Sequence, residues 1–149
     1  MCSWSVKPVA TGIQTADLHL AWPGLWPLLK PAYEYSPDKD DILAGLMAKR
    51  FALFAVYASS EPVAGIVVRF LERTGTSSSE RHCHLWLVGG SRLSEWSGDF
   101  LSKLIPWAKA EGCCAVTGNG RKGWDRIVRK HGGYRTEDVQ GLPAWRLDL

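Results

Sequence analysis

The chain has 149 residues, 46% of them hydrophobic by type, with 18 Lys and Arg against 15 Asp and Glu and a formal net charge of +3. This length supports a single domain over 1–149 with a substantial core. The composition excludes disorder, and so mild a charge does not by itself point to nucleic acid. No segment approaches the roughly 18 consecutive apolar residues of a membrane span.

The N-terminal "MCSWSVKPVATG" lacks the apolar centre of a signal peptide. The four cysteines, Cys2, Cys83, Cys113 and Cys114, show no C-x-x-C spacing. Together these features lead to the expectation of a cytoplasmic protein with reduced thiols. Eight tryptophans are many for this length, and burial preferences assign most of them to the core.

Taken in chain order, "SWSVKPVA" (3–10) reads as a first strand. In "ADLHLAWPGLWPLLKPAYEY", Pro23, Pro27 and Pro31 predict short helical turns packing Trp22, Trp26 and Leu29 inward. "SPDKDDILAGLMAKR" reads as a helix capped by Ser36, with Pro37 in its first turn and Asp38, Asp40 and Asp41 complementing its dipole. Its buried stripe is expected to be Ile42, Leu43, Leu46 and Met47. "FALFAVYAS" and "PVAGIVVRFLER" form a hairpin about Ser59–Pro62. A loop at Thr74–Glu80 then leads to a third strand in this region, "RHCHLWLVGG".

"LSEWSGDFLSKLIPWAKAEG" is helical. Phe100, Leu101, Leu104, Ile105 and Ala108 face inward, Pro106 kinks or restarts it and Gly112 stops it. "CCAVTG" is a buried strand, "GWDRIVRKHGG" a short basic helix, and "TEDVQ" and "AWRLDL" a final strand pair. The order β, α, α, β, β, β, α, β, α, β, β predicts an α/β fold with a mixed sheet.

Within this pattern, Gly118–Gly123 spells G-x-G-x-x-G. A dinucleotide fold places that fingerprint at its first strand–helix turn, with an acidic residue about 20 positions later. Here only 26 residues follow Gly123, and Glu137 and Asp138 come 14 and 15 positions after it. A phosphate-binding P-loop fails too, because Lys122 precedes Gly123 and Trp124 takes the hydroxyl position. The segment reads instead as the entry to the last helix.

The strand order, together with "PWAKAEGCCAV", "GRKGWDRIVRKHGGYR" and the terminal strand pair, resembles the GNAT acyl-CoA N-acyltransferase superfamily over nearly the whole chain. The tract from Trp107 to Tyr134 is most similar to small GNAT-like proteins of tailed bacteriophages. The first half matches in element order and in the hairpin "FALFAVYASSEPVAGIVVRF". The resemblance implies a central mixed, twisted sheet of six to seven strands flanked by about four helices. It also implies acetyl-CoA or another acyl-CoA as donor and an amine as acceptor.

The family grips the coenzyme pyrophosphate with [QR]-x-x-G-x-[GA] at a helix N-terminus, where bare N–H groups meet the phosphate. Aligned on Val88, the first signature position falls on Leu93, with Arg92 one residue early. The first glycine falls on Trp96 and the second on Gly98, and Leu101 matches the leucine that follows. A tryptophan ring there is expected to crowd the phosphate. Either a loop built from Val88, Gly89, Gly90, Ser91 and Arg92 takes over the grip, or coenzyme binding is weak or lost. Asn119 and Arg121, with Lys122, are expected beside the cofactor arm. The tyrosine that protonates the leaving thiolate in many relatives is replaced by Arg129, and Tyr134 is expected to pack as the aromatic of the terminal Gly133–Tyr134 pair.

The family's acyl carbonyl meets N–H groups of the strand written here "HCHLWLV". That strand has no carboxylate but offers His82 and His84 on one side and Cys83 on the other. His84 is the candidate general base, against a surface or hydrogen-bonded imidazole. His82, His84, Cys113 and Cys114 fit no standard zinc spacing, so no metal is expected. Cysteines in apolar strands are expected to be inert rather than nucleophilic.

Three functional readings are open. The first is N-acyl transfer. The second is a catalytically silent protein of this fold that binds a partner through its basic C-terminal helix and its tryptophans, for example as a virion component. The third is nucleic-acid contact through Arg121, Lys122, Arg126 and Arg129.

Overall fold

A computed structural model describes residues 6–74, 79–119, 123–139 and 142–149. In chain order it contains β1 (Val9–Ile13), a 3₁₀ turn (Thr15–Asp17), α1 (Leu18–Tyr35), α2 (Ile42–Met47), β2 (Phe51–Ala58), β3 (Glu61–Thr74) and β4 (Ser79–Gly90). These are followed by α3 (Leu93–Ala110), β5 (Ala115–Asn119), α4 (Gly123–Arg129), β6 (Tyr134–Val139) and β7 (Leu142–Asp148). The seven strands form one sheet in the order β1-β2-β3-β4-β5-β7-β6. β4 and β5 run parallel, while β1/β2, β5/β7 and β6/β7 are antiparallel. The seven strands and four helices match the mixed sheet of six to seven strands with about four helices expected from the sequence.

Several expectations from the sequence are met by the structure. The hairpin turns on Ser59 and Ser60, with Ser59 at φ 56°. Gly112, at φ 83°, follows the end of α3, as a left-handed C-terminal residue should. Other boundaries move. The first strand starts at Val9, β4 begins at Ser79 inside the expected loop, and Ile105 is only partly buried. The helix after α1 begins five residues later than expected, because Asp41 caps it by accepting the Ala44 N–H at 3.0 Å. Ser36 instead accepts the Asp38 N–H and the Trp86 indole N–H. The buried side of this helix carries Ile42 and Leu46, while Leu43 and Met47 face outward, 41% and 62% exposed.

α1 overturns the expectation of broken turns. It is one 18-residue helix with Pro23, Pro27 and Pro31 inside it. Each proline removes the hydrogen bond to the carbonyl four residues earlier. Spaced by four, the three lie on one exposed face, so the carbonyls of His19, Pro23 and Pro27 lack their usual helical donors. The other face, Leu18, Leu25 and Leu29, packs into a cluster with Ile42, Leu53 and Val67, and this burial holds the helix. Trp22 and Trp26 stack at 5.5 Å but are only half-buried. Pro106 likewise sits on the exposed side of an uninterrupted α3.

Contacts divide the chain into two compact units, Met1–Val68 with Trp86–Lys103, and Arg69–Leu85 with Leu104–Leu149. In the first unit, Asp99 on α3 accepts the Ala10 N–H at 2.8 Å, and Lys103 donates to the Ala10 carbonyl. In the second, Trp124 and Trp145 stack at 6.1 Å, and Phe70 lies against both Trp107 and the Arg81 guanidinium.

Candidate functional site

The β4–α3 loop, in the first unit, carries most of the residues expected to hold a pyrophosphate. A Cβ on Gly89 would collide with the Leu28 carbonyl, and one on Gly90 (φ 122°) with the Val63 carbonyl and Ala64. Both glycines therefore exist so that neighbouring backbone can approach. The Ser91 N–H donates to the Val63 carbonyl at 3.1 Å. Arg92, at φ 61°, donates from Nε and Nη2 to the two carboxylate oxygens of Glu95 at 2.8 and 2.9 Å, and to the Val6 carbonyl at 3.0 Å. Its charge is thus met by a carboxylate in the first turn of α3, where an anion would need a bare helix end.

Trp96 points its side chain into the core rather than over the loop. Its ring is 1% exposed, packs edge-on to Phe100 at 5.9 Å, and its indole N–H donates to the Ser91 carbonyl. Gly98 is exposed, and a Cβ there would meet nothing within 4 Å. Val88 is half-buried. The fit of this loop to a coenzyme pyrophosphate is therefore partial: Gly98 is open, while Gly89, Gly90, Ser91 and Arg92 are committed to the protein itself.

In the second unit, the parallel register of β4 and β5 runs from His82↔Ala115 to Leu85↔Gly118 and places His84 opposite Thr117. His84 Nδ1 lies 3.0 Å from Thr117 Oγ1. Either Nδ1–H donates to that hydroxyl or the hydroxyl donates to an unprotonated Nδ1, and both arrangements fix the ring's orientation. Thr117 is a partner that sequence spacing does not reveal; the pairing of two parallel strands creates it. Asn119 is half-buried at the end of β5, opposite Ala144. Arg121 and Lys122 lie outside the described residues. On α4, Arg129 pairs with Asp125 at 3.1 Å and Arg126 is exposed. Tyr134 does not pack inward: it is 44% exposed, and its hydroxyl donates to Asp148, which raises the phenol pKa.

A second polar group surrounds the start of β4. Glu80 Oε1 lies 3.0 Å from His82 Nε2, 3.4 Å from the Cys114 thiol and 3.3 Å from Arg146 Nη2. Hydrogen bonds from His82, then Cys114 and Arg146, hold the Glu80 pKa down to about 2. Burial pushes the Cys83, Cys113 and Cys114 thiols up, so none is a ready thiolate nucleophile. The histidines separate: His84 goes to Thr117, while His82 joins Cys114 through Glu80, a residue outside the four considered from sequence.

No protein-family model matches the chain, and no curated protein matches it in sequence. Solved structures do share its fold. Arabidopsis thaliana Naa50 in complex with a bisubstrate analogue, CoA-Ac-MVNAL, superposes with a TM-score of 0.59 at 11% identity, covering 97% of this chain and 100% of that one. A Drosophila melanogaster polyamine N-acetyltransferase gives 0.63 at 10%, covering 95% and 100%. FeeM, an N-acyl amino acid synthase from uncultured soil microbes, gives 0.66 at 10%, covering 98% and 92%. The fold is therefore that of the N-acyltransferases. Among the described residues, no helix is long and apolar enough to cross a membrane.

Proposed function

We propose that the protein transfers an acyl group from a coenzyme A thioester, acetyl-CoA first among them, to an amine. The observation that carries this reading is the His84–Thr117 pair on the parallel β4/β5 ladder, in a fold shared with N-acetyltransferases. The thioester supplies an activated acyl group. The chain's own part is to take a proton from the attacking ammonium at His84, with Thr117 fixing the imidazole's orientation. Arg129 stands where relatives place a tyrosine acid, so the leaving thiolate takes its proton from water. The similarity of 107–134 to phage-encoded proteins extends the proposal to a phage origin, with the host cytoplasm as location.

The commitment of Arg92 to Glu95 favours a second reading, a silent binding protein of the same fold. Calorimetry and thermal melting with acetyl-CoA decide between them. Under the first reading, acetyl-CoA at 100 times its Kd stabilises the protein by about 2.7 kcal/mol, and His84→Ala lowers acetyl transfer to a panel of amines while leaving binding intact. Absence of both heat and melting shift at millimolar acetyl-CoA removes the first reading and leaves the second.

A further inference from the structure

We propose that Glu80, His82 and Cys114 form a binding site for a divalent ion of the zinc type, with three protein ligands and a fourth, exchangeable position. One ligand atom from each residue lies within 4.8 Å of the others. The Glu80–His82 and Glu80–Cys114 separations are 3.0 and 3.4 Å. Tetrahedral zinc, with bonds of about 2.0–2.1 Å to N or O and about 2.3 Å to S, spaces its ligand atoms by about 3.3–3.6 Å. These two pairs are thus within a few tenths of an ångström of a metal-bound arrangement.

The frame around the three residues is fixed. Glu80 and His82 are two apart on β4, where alternate side chains share a face. The parallel ladder starts at His82↔Ala115, next to Cys114. Both backbone groups of Cys114 are held: its N–H donates to the Arg81 carbonyl and its carbonyl accepts from Leu149, each at 2.9 Å. The His82 side chain is 4% exposed, and its Nδ1 is buried without a hydrogen-bond partner. A ligand histidine usually donates its second N–H outward; without that bond, affinity falls toward the weak end for such a donor set.

Sulfur, imidazole nitrogen and carboxylate oxygen suit zinc or cobalt over magnesium or calcium. Arg146 now holds part of the ion's place, with Nη2 on Glu80, but its Nε donates to Asp148 at 2.6 Å. Asp148 in turn receives the Tyr134 hydroxyl. Metal entry exchanges the Arg146–Glu80, His82–Glu80 and thiol–Glu80 contacts for three ligand bonds. It releases the Cys114 thiol proton to solvent and leaves the His82 proton on Nδ1 rather than Nε2, and Arg146 keeps its bond to Asp148. The bound ion would pin the start of β4 to the start of β5.

Titration of the chelator-stripped full chain with Co²⁺ tests this. The expected result is a cobalt–thiolate charge-transfer band saturating at one equivalent, lost on Zn²⁺ addition, with a higher melting temperature in Zn²⁺. Cys114→Ser abolishes the band while Cys113→Ser keeps it. Glu80→Gln, at a half-exposed position that leaves the core intact, weakens binding about tenfold or more. Arg146→Met tightens binding by removing the competing cation. No band at millimolar Co²⁺, a band surviving Cys114→Ser, or unchanged affinity in Glu80→Gln overturns the site. Far-UV circular dichroism of each variant accompanies the titrations.

Discussion

The indole N–H of Trp96 donates to the Ser91 carbonyl at 2.8 Å, so a side chain on the buried face of α3 closes the loop that precedes the helix. Trp96→Ala is expected to cost about 3–5 kcal/mol in a denaturant titration, as for other large-to-small core changes. Trp96→Phe keeps much of the volume but leaves the Ser91 carbonyl short of a partner, and is expected to cost about 1–3 kcal/mol. A Trp96→Gly variant of unchanged stability would contradict this role.

Gly89 and Gly98 are expected to respond in opposite directions. Gly89→Ala drives a methyl into the Leu28 carbonyl, which is backbone and cannot swing away; a loss of about 1–3 kcal/mol is expected. Gly98→Ala meets open space on an exposed helix face and gains about 0.5–1 kcal/mol of helix preference. Urea midpoints of the two variants check the pair, and equal shifts would refute the distinction.

Glu80 sets an acid limb of stability. Its folded pKa, about 2, is lower than its usual 4.5, so the unfolded chain binds its proton first as pH falls. The stabilisation is complete above about pH 4.5 and is lost as pH drops toward 2. Glu80→Gln should flatten that limb, and the two proteins should converge near pH 2 in urea titrations across pH 2–6. Parallel curves would show that Glu80 is not the group responsible.

Pro27 lies mid-helix on the exposed face of α1. Proline is about 3 kcal/mol less favourable than alanine in a helix interior, and its stiffening of the unfolded chain returns about 0.4–1 kcal/mol. Pro27→Ala should therefore stabilise the protein by about 2 kcal/mol. A destabilised Pro27→Ala would mean that the ring packs as part of the fold.

The sheet and its helices were largely legible, because apolar period and turn chemistry act locally. The β2/β3 hairpin needed only Ser59–Ser60 between two β-branched runs, and α3 needed only its stripe from Phe100 to Ala108. α1 was misread because proline acts against a helix locally, while burial of Leu25 and Leu29, set by the sheet, acts for it. The helix start at Asp41 was missed because Ser36 offers the same capping chemistry and only its use by Trp86 rules it out. The candidate site was least legible. Thr117 reaches His84, and Cys114 reaches Glu80, across strands whose register is a tertiary fact, so no spacing rule finds them. The loop glycines Gly89 and Gly90 look identical in sequence whether a phosphate or the protein's own backbone fills the space above them.

α1 lacks three of the hydrogen bonds that let a helix nucleate and grow by itself. Excised from the chain, the segment 18–35 should be a coil in water, and in the intact protein it forms only once Leu25 and Leu29 have a surface to rest on. The helix then opens as a unit rather than fraying from its ends. Its amides from Leu25 to Ala32, the two prolines excepted, should exchange with deuterium together, at a rate set by the loosening of the Leu29–Leu53–Val67 cluster.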